Sequence, residues 1–184
     1  MPALDIELTG NGLALKRGPL SFVANGFPEG DFLIVNEESG LALTTKAGAI
    51  GQGGSQSGYV FDPTVHMLRP DGSDRQWWFF DASGENSRAG ASNYLVNRVE
   101  EGTKGRFALG PGTPRDSLPG SNPPMEILLV GAGSTLGLRW QTEDGYLFEQ
   151  GRPEFVLTYA PDREKLTMAS RGASYQRWQL KAAK

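Results

Sequence analysis

The chain has no cysteine among its 184 residues. Disulfides, a thiolate nucleophile and cysteine-ligated zinc are therefore excluded. Histidine occurs once, at His66, so a histidine-rich metal site is impossible and a Ser-His-Asp arrangement could use only that residue. No Gly-x-Ser-x-Gly elbow is present, and Gly51-Gln52-Gly53-Gly54 lacks the Lys-Ser/Thr ending of a phosphate loop. No cofactor motif remains, and none is expected to be bound. Long apolar runs are also missing, since nothing approaches the roughly 18 uncharged residues of a membrane helix; membrane insertion is not expected. Basic residues are scattered (Lys16-Arg17, Arg69, Arg98, Arg152, Arg163) in a chain of net charge -3, so nucleic acid is not an expected partner. The acidic start, Met1-Pro2-Ala3-Leu4-Asp5-Ile6-Glu7, lacks the basic and apolar regions of a secretory signal, and a cytoplasmic location is the expectation.

Helical patterning is absent too. With 25 glycines and 12 prolines, no window of about 11 residues carries apolar positions at i, i+3, i+4 and i+7 without interruption. What is present are short runs of Val, Ile, Phe, Tyr and Trp bounded by turn pairs such as Asp71-Gly72, Ser83-Gly84 and Asp144-Gly145. The pattern predicts an all-β chain with strands near 32–36, 41–45, 65–69, 76–81, 93–98, 106–109, 125–130, 137–142, 145–149, 155–159, 165–169 and 175–180. A hydrophobic content of 38% at this length suits one domain that buries its own core.

Tryptophan gives these strands an order. Gln76-Trp77-Trp78-Phe79-Phe80-Asp81 returns in weaker form as Leu138-Arg139-Trp140-Gln141, and Gln176-Arg177-Trp178-Gln179-Leu180 follows near the end. Trp78 and Trp140 lie 62 positions apart, as do the aromatic strand starts Phe32 and Tyr94; Phe155 follows Tyr94 by 61. Two landmarks sharing one offset indicate a repeated unit. The expected units are 30–92, 93–152 and 153–184, the third being short because Phe155 to Trp178 spans 23 positions where the others need 46. Three similar sets of about four strands favour a closed, pseudo-threefold architecture, because closure removes exposed sheet edges.

Two segments, 46–64 and 110–124, have loop composition and fall at equivalent places in the first two units; Ser170-Arg171-Gly172-Ala173-Ser174 is taken as their short counterpart in the third. Residues 1–29 form an expected N-terminal extension, in which Leu13-Ala14-Leu15 and Leu20-Ser21-Phe22-Val23 flank Arg17-Gly18-Pro19 as a hairpin that packs on the barrel or supplies one of its strands.

Three Trp strands, with Gln-x-Trp intact at Gln76-Trp77-Trp78 and Gln176-Arg177-Trp178, resemble the β-trefoil of ricin B-like lectins over about residues 30–181. The resemblance implies a glycan or glycoprotein partner. Members with active sugar sites carry an Asp on a unit's second strand, an aromatic platform on the third and an Asn or Gln near the Gln-x-Trp. Here Leu41-Ala42-Leu43-Thr44-Thr45, Arg106-Phe107-Ala108-Leu109-Gly110 and Leu166-Thr167-Met168-Ala169-Ser170 hold no Asp, and Leu138 replaces the middle Gln. Sugar binding would therefore use other residues.

Sugar recognition needs an aromatic face for the apolar side of a pyranose and fixed polar groups for its hydroxyls. The candidates are Tyr59, His66, Asp71, Asp74 and Trp77 in the first unit, with Arg75 beside them, and Asn97 in the second; Asn93, Asp162 and Tyr175 are weaker. Against these stand plain structural roles, with Tyr59 packing its loop and the aspartates making turns around Gly72. If Trp78 points into the core, Trp77 points outward or under a loop. The expected function is a non-catalytic lectin with a relocated site, and a homodimer would raise its avidity. Two alternatives remain open: a trefoil protease inhibitor presenting the proline-rich loop 110–124, and an enzyme whose pocket is lined by Tyr59, His66 and Trp77.

Overall fold

A computed structural model describes residues 5–9, 12–16, 24–45, 64–82, 93–101, 105–111, 125–131 and 138–182. The first two strands, β1 (Asp5–Thr9) and β2 (Gly12–Lys16), form a two-stranded sheet of their own. In it Ile6 and Leu8 lie opposite Leu15 and Leu13. Leu13-Ala14-Leu15 thus pairs with the preceding alternating segment, in a sheet separate from the main one, and its expected partner Leu20–Val23 is not among the described residues. Residues 17–23 lie outside the described residues.

Twelve strands make the main sheet: β3 (Phe32–Asn36), β4 (Ala42–Thr45), β5 (Val65–Leu68), β6 (Trp78–Asp81), β7 (Tyr94–Glu101), β8 (Gly105–Pro111), β9 (Met125–Gly131), β10 (Trp140–Glu143), β11 (Tyr146–Glu149), β12 (Phe155–Ala160), β13 (Lys165–Ser170) and β14 (Trp178–Ala182). All pairings are antiparallel. Among the described residues the only helical turns are short 3-10 segments at Ala24–Gly26 and Asp74–Gln76.

The strands fall into three sets of four, and the tryptophans prove the equivalence. Trp78 Nε1 donates to the Leu43 carbonyl at 3.1 Å, Trp140 Nε1 to Leu109 at 3.2 Å and Trp178 Nε1 to Leu157 at 2.9 Å. Each bond joins a unit's fourth strand to its second. Burying an indole demands a partner for its N–H, and the same carbonyl provides it three times.

Each fourth strand also pairs with the first strand of the following unit: β6 with β7, β10 with β11, and β14 with β3. The last pairing closes the ring. Within units, Trp140 N–H donates to the Asn93 carbonyl and Trp178 N–H to that of Gly145, while Trp78 lies opposite Phe32. The third strands β5, β9 and β13 meet one another. This is a β-trefoil, as the threefold spacing predicted.

The phase of the third unit differs from the sequence reading. Because Leu157 is the equivalent of Leu43 and Leu109, Phe155 opens a second strand, and the unit starts at Tyr146. A constant offset fails here because the chain between second and third strands shrinks to the turn 161–164, where the other units have 46–64 and 112–124. Residues 170–174 instead lead from a third strand into a fourth.

The main core cluster includes Ile34, Leu43, Trp78, Leu95, Leu109, Trp140, Leu157 and Trp178, and a smaller one gathers Tyr94, Val96 and Ala108. Phe27 seals it, fully buried and stacked on Phe80 at 4.4 Å between ring centroids. Gly26 makes this approach feasible: with φ +83°, a Cβ there would lie 2.7 Å from the Thr142 carbonyl oxygen.

Candidate functional site

Four of the sequence candidates lie on or beside the connection from β5 to β6. Gln76 shapes it from below. Buried completely, its Nε2 donates to Thr44 Oγ1 at 3.0 Å and to the Arg69 carbonyl at 2.9 Å, and its Oε1 accepts the Asp71 N–H at 2.7 Å. Gln176 repeats the pattern in the third unit, donating to Thr158 Oγ1 and the Ser170 carbonyl and accepting from Gly172 and Ala173. In the second unit both partners are replaced together, Gln by buried Leu138 and Thr by Gly110.

Asp71 makes a turn. Its Oδ1 accepts the Ser73 N–H at 2.8 Å, and hydrogen bonds from Ser73 hold its carboxyl below the ordinary value. Asp74 is exposed and faces Arg98, with Oδ1 3.9 Å from Arg98 Nε; Arg98 Nη1 in turn lies 3.0 Å from Asp31 Oδ2. Trp78 is fully buried, whereas Trp77 keeps part of its surface in water. The Trp77 ring is fixed, because its Nε1 donates to the Gly72 carbonyl at 3.1 Å. Asp71, Asp74 and Trp77 therefore share one loop. His66 sits on the neighbouring strand β5, opposite Thr44 in register, and is partly buried.

Asn97 has a different place from the one expected. It is 1% exposed, and its Nδ2 donates to the carbonyls of Arg75 and Trp77, both at 3.1 Å, while its Oδ1 accepts the Val99 N–H. With every amide group occupied inside the protein, Asn97 fixes the loop and does not reach a ligand. Asn36 performs the same service for the third unit, donating to the carbonyls of Tyr175 and Arg177. The repeated Val35-Asn36 and Val96-Asn97 were the signal for this clamp. In the remaining unit the position opposite the tryptophan belongs to Glu149, whose half-burial raises its carboxyl pKa against the opposing charge of Arg152.

Among the weaker candidates, Asn93 adopts φ +69° at the entry to β7, where its backbone bonds to Asp81 and Trp140. Tyr175 adopts φ +59°, packs edge-on against Tyr159, and donates its N–H to Glu38. Asp162 is exposed beside Arg163. Tyr59 and residues 112–124 of the proline-rich segment lie outside the described residues.

Sequence reasoning missed a second cluster. The Tyr146 ring has the guanidinium carbon of Arg171 4.4 Å from its centroid and that of Arg177 at 4.8 Å.

No family model matches the sequence, and no curated protein sequence does. Solved structures do. The Macrolepiota procera ricin B-like lectin, determined in complex with lactose, superposes with a TM-score of 0.55 at 12% identity, covering 89% of this chain and 100% of the lectin. This chain has the ricin B-like lectin fold. A non-toxic homologue of type II ribosome-inactivating proteins from Momordica charantia, in complex with α-methyl-D-galactoside, superposes at 0.50 with 12% identity; 93% of this chain matches 52% of that one.

Proposed function

We propose that the protein is a non-catalytic lectin whose sugar site lies on the β5–β6 loop of the first unit. The observation that carries this reading is Trp77: a part-exposed indole, fixed by its bond to Gly72 and by the Asn97 clamp on its carbonyl. A rigid aromatic face can stack on the apolar side of a pyranose without losing rotamer freedom on binding. Asp74 and Arg98 supply an acceptor and donors at its margin, suited to vicinal hydroxyls. The two structural neighbours were solved with galactose-containing ligands, which makes galactosides the first sugars to try.

The test is a glycan array with the purified chain and its Trp77→Ala and Asp74→Ala variants. The expected result is binding to a coherent glycan set that Trp77→Ala abolishes while thermal melting stays within a few degrees. A blank array, or binding indifferent to Trp77, overturns the reading.

A further inference from the structure

The third unit carries a basic aromatic cluster remote in sequence from the Trp77 loop. Tyr146 opens β11 directly after the Asp144-Gly145 turn, Arg171 follows β13, and Arg177 precedes Trp178. Arg171 lies over Tyr146 at 4.4 Å and also 5.8 Å from the Phe148 centroid, and Arg177 lies over Tyr146 at 4.8 Å. Two like charges on one ring repel, and the ring's π-face offsets only part of that.

Both arginines are held at their backbones. The Arg171 N–H donates to the Glu154 carbonyl at 3.1 Å, and the Arg177 carbonyl accepts from Glu37 N–H and from Asn36 Nδ2. Gly145 makes room, since a Cβ there would stand 3.2 Å from Arg177 Nε. Countercharge is thin: Arg177 has Glu37 at 3.9 Å, and among the described residues no carboxylate pairs with Arg171. Both arginines are exposed, and a guanidinium held against a ring keeps N–H donors for an oxyanion, the group that Arg grips in carboxylate, sulfate or phosphate.

We infer that Arg171, Tyr146 and Arg177 form a second binding site, for an acidic glycan carrying a sulfate or carboxylate group. The saccharide part of this inference rests on the lectin reading; the anion part does not. Anion binding relieves the Arg171–Arg177 repulsion, so the site discriminates charged from neutral sugars.

The experiment is an NMR titration of the full chain with inorganic sulfate, glucose 6-sulfate, glucuronic acid and glucose at constant ionic strength, following the arginine Nε–H signals. Saturable shifts of Arg171 and Arg177 with the anions and none with glucose are expected, with affinity falling at least about fivefold in Arg171→Gln and unchanged in Arg163→Gln. Glucose 6-sulfate or glucuronic acid binding more tightly than sulfate supports the glycan part; sulfate binding as tightly as either sugar overturns that part alone. Linear shifts, or equal affinity in Arg171→Gln, overturn the site. The same titrations on Trp77→Ala remain unchanged if the two sites are separate, so failure at one loop is read independently of the other.

Discussion

Replacing Gln176 with leucine tests the account of how a Gln-x-Trp unit is held together. Gln176 is 1% exposed and makes four hydrogen bonds, to Thr158 Oγ1 at 3.0 Å, the Ser170 carbonyl at 2.9 Å, and the N–H groups of Gly172 at 2.8 Å and Ala173 at 2.9 Å. Gly172, Ala173 and Ser170 are exposed, so water can replace those three bonds; the bond to the buried Thr158 hydroxyl is lost at about 1 kcal/mol. Leucine is sterically acceptable, as Leu138 in the second unit demonstrates. The net loss is therefore about 1 kcal/mol, or roughly 2–4 °C in Tm for a chain of this size. Urea and thermal unfolding followed by near-ultraviolet circular dichroism measure it. Thr158→Val alone loses the shared bond, so the double variant costs about 1 kcal/mol less than the sum of the singles. A loss below about 0.5 kcal/mol for Gln176→Leu, or strict additivity of the pair, refutes the argument.

Asn97→Ala strips donors from the Arg75 and Trp77 carbonyls and costs about 2–3 kcal/mol; hydrogen exchange localises the loosening to the β5–β6 loop. Glu149→Gln stabilises at neutral pH but not in acid: its raised folded-state pKa penalises the ionised form, so the cost appears as pH rises from its ordinary value of 4.5 and is absent below it. Paired melts at the two pH values show whether the gain follows that sign. Gly26→Ala costs about 2 kcal/mol or more, from positive φ and a Cβ 2.7 Å from the Thr142 carbonyl, and lowers the urea midpoint accordingly.

The strands of the trefoil were legible because alternation and turn pairs act locally. Asp144-Gly145 bounds β11 and 161–164 separates β12 from β13, and both breaks are visible in composition. The phase of the third unit was not, because it depends on which carbonyl Trp178 reaches. A better marker was present: the aromatic strand starts Phe32, Tyr94 and Tyr146 each follow a turn residue, Asp31, Asn93 or Gly145. In the candidate site, strand alternation with Trp78 left Trp77 either outward or under a loop, and only the fold shows that it keeps part of its surface in water. Asn97 was misjudged because an amide suits a sugar hydroxyl and a buried carbonyl equally well, and only burial decides between them. The Tyr146 cluster was invisible because Arg171 and Arg177 come to one ring from opposite ends of a folded loop.

Closure through β14 also governs when the fold can exist. Asn36 and Arg177 are joined across 141 positions of sequence, and β3 stays unpaired along one edge until residue 182 has been synthesised. Pairings this distant fold slowly, since loop closure precedes any reward from contacts. During translation the first two units therefore wait with an open edge and an incomplete core, exposed to capture by other nascent chains. Deleting residues 178–182 removes Trp178 as well as that strand, leaving a product that accumulates in aggregates instead of as a shortened trefoil.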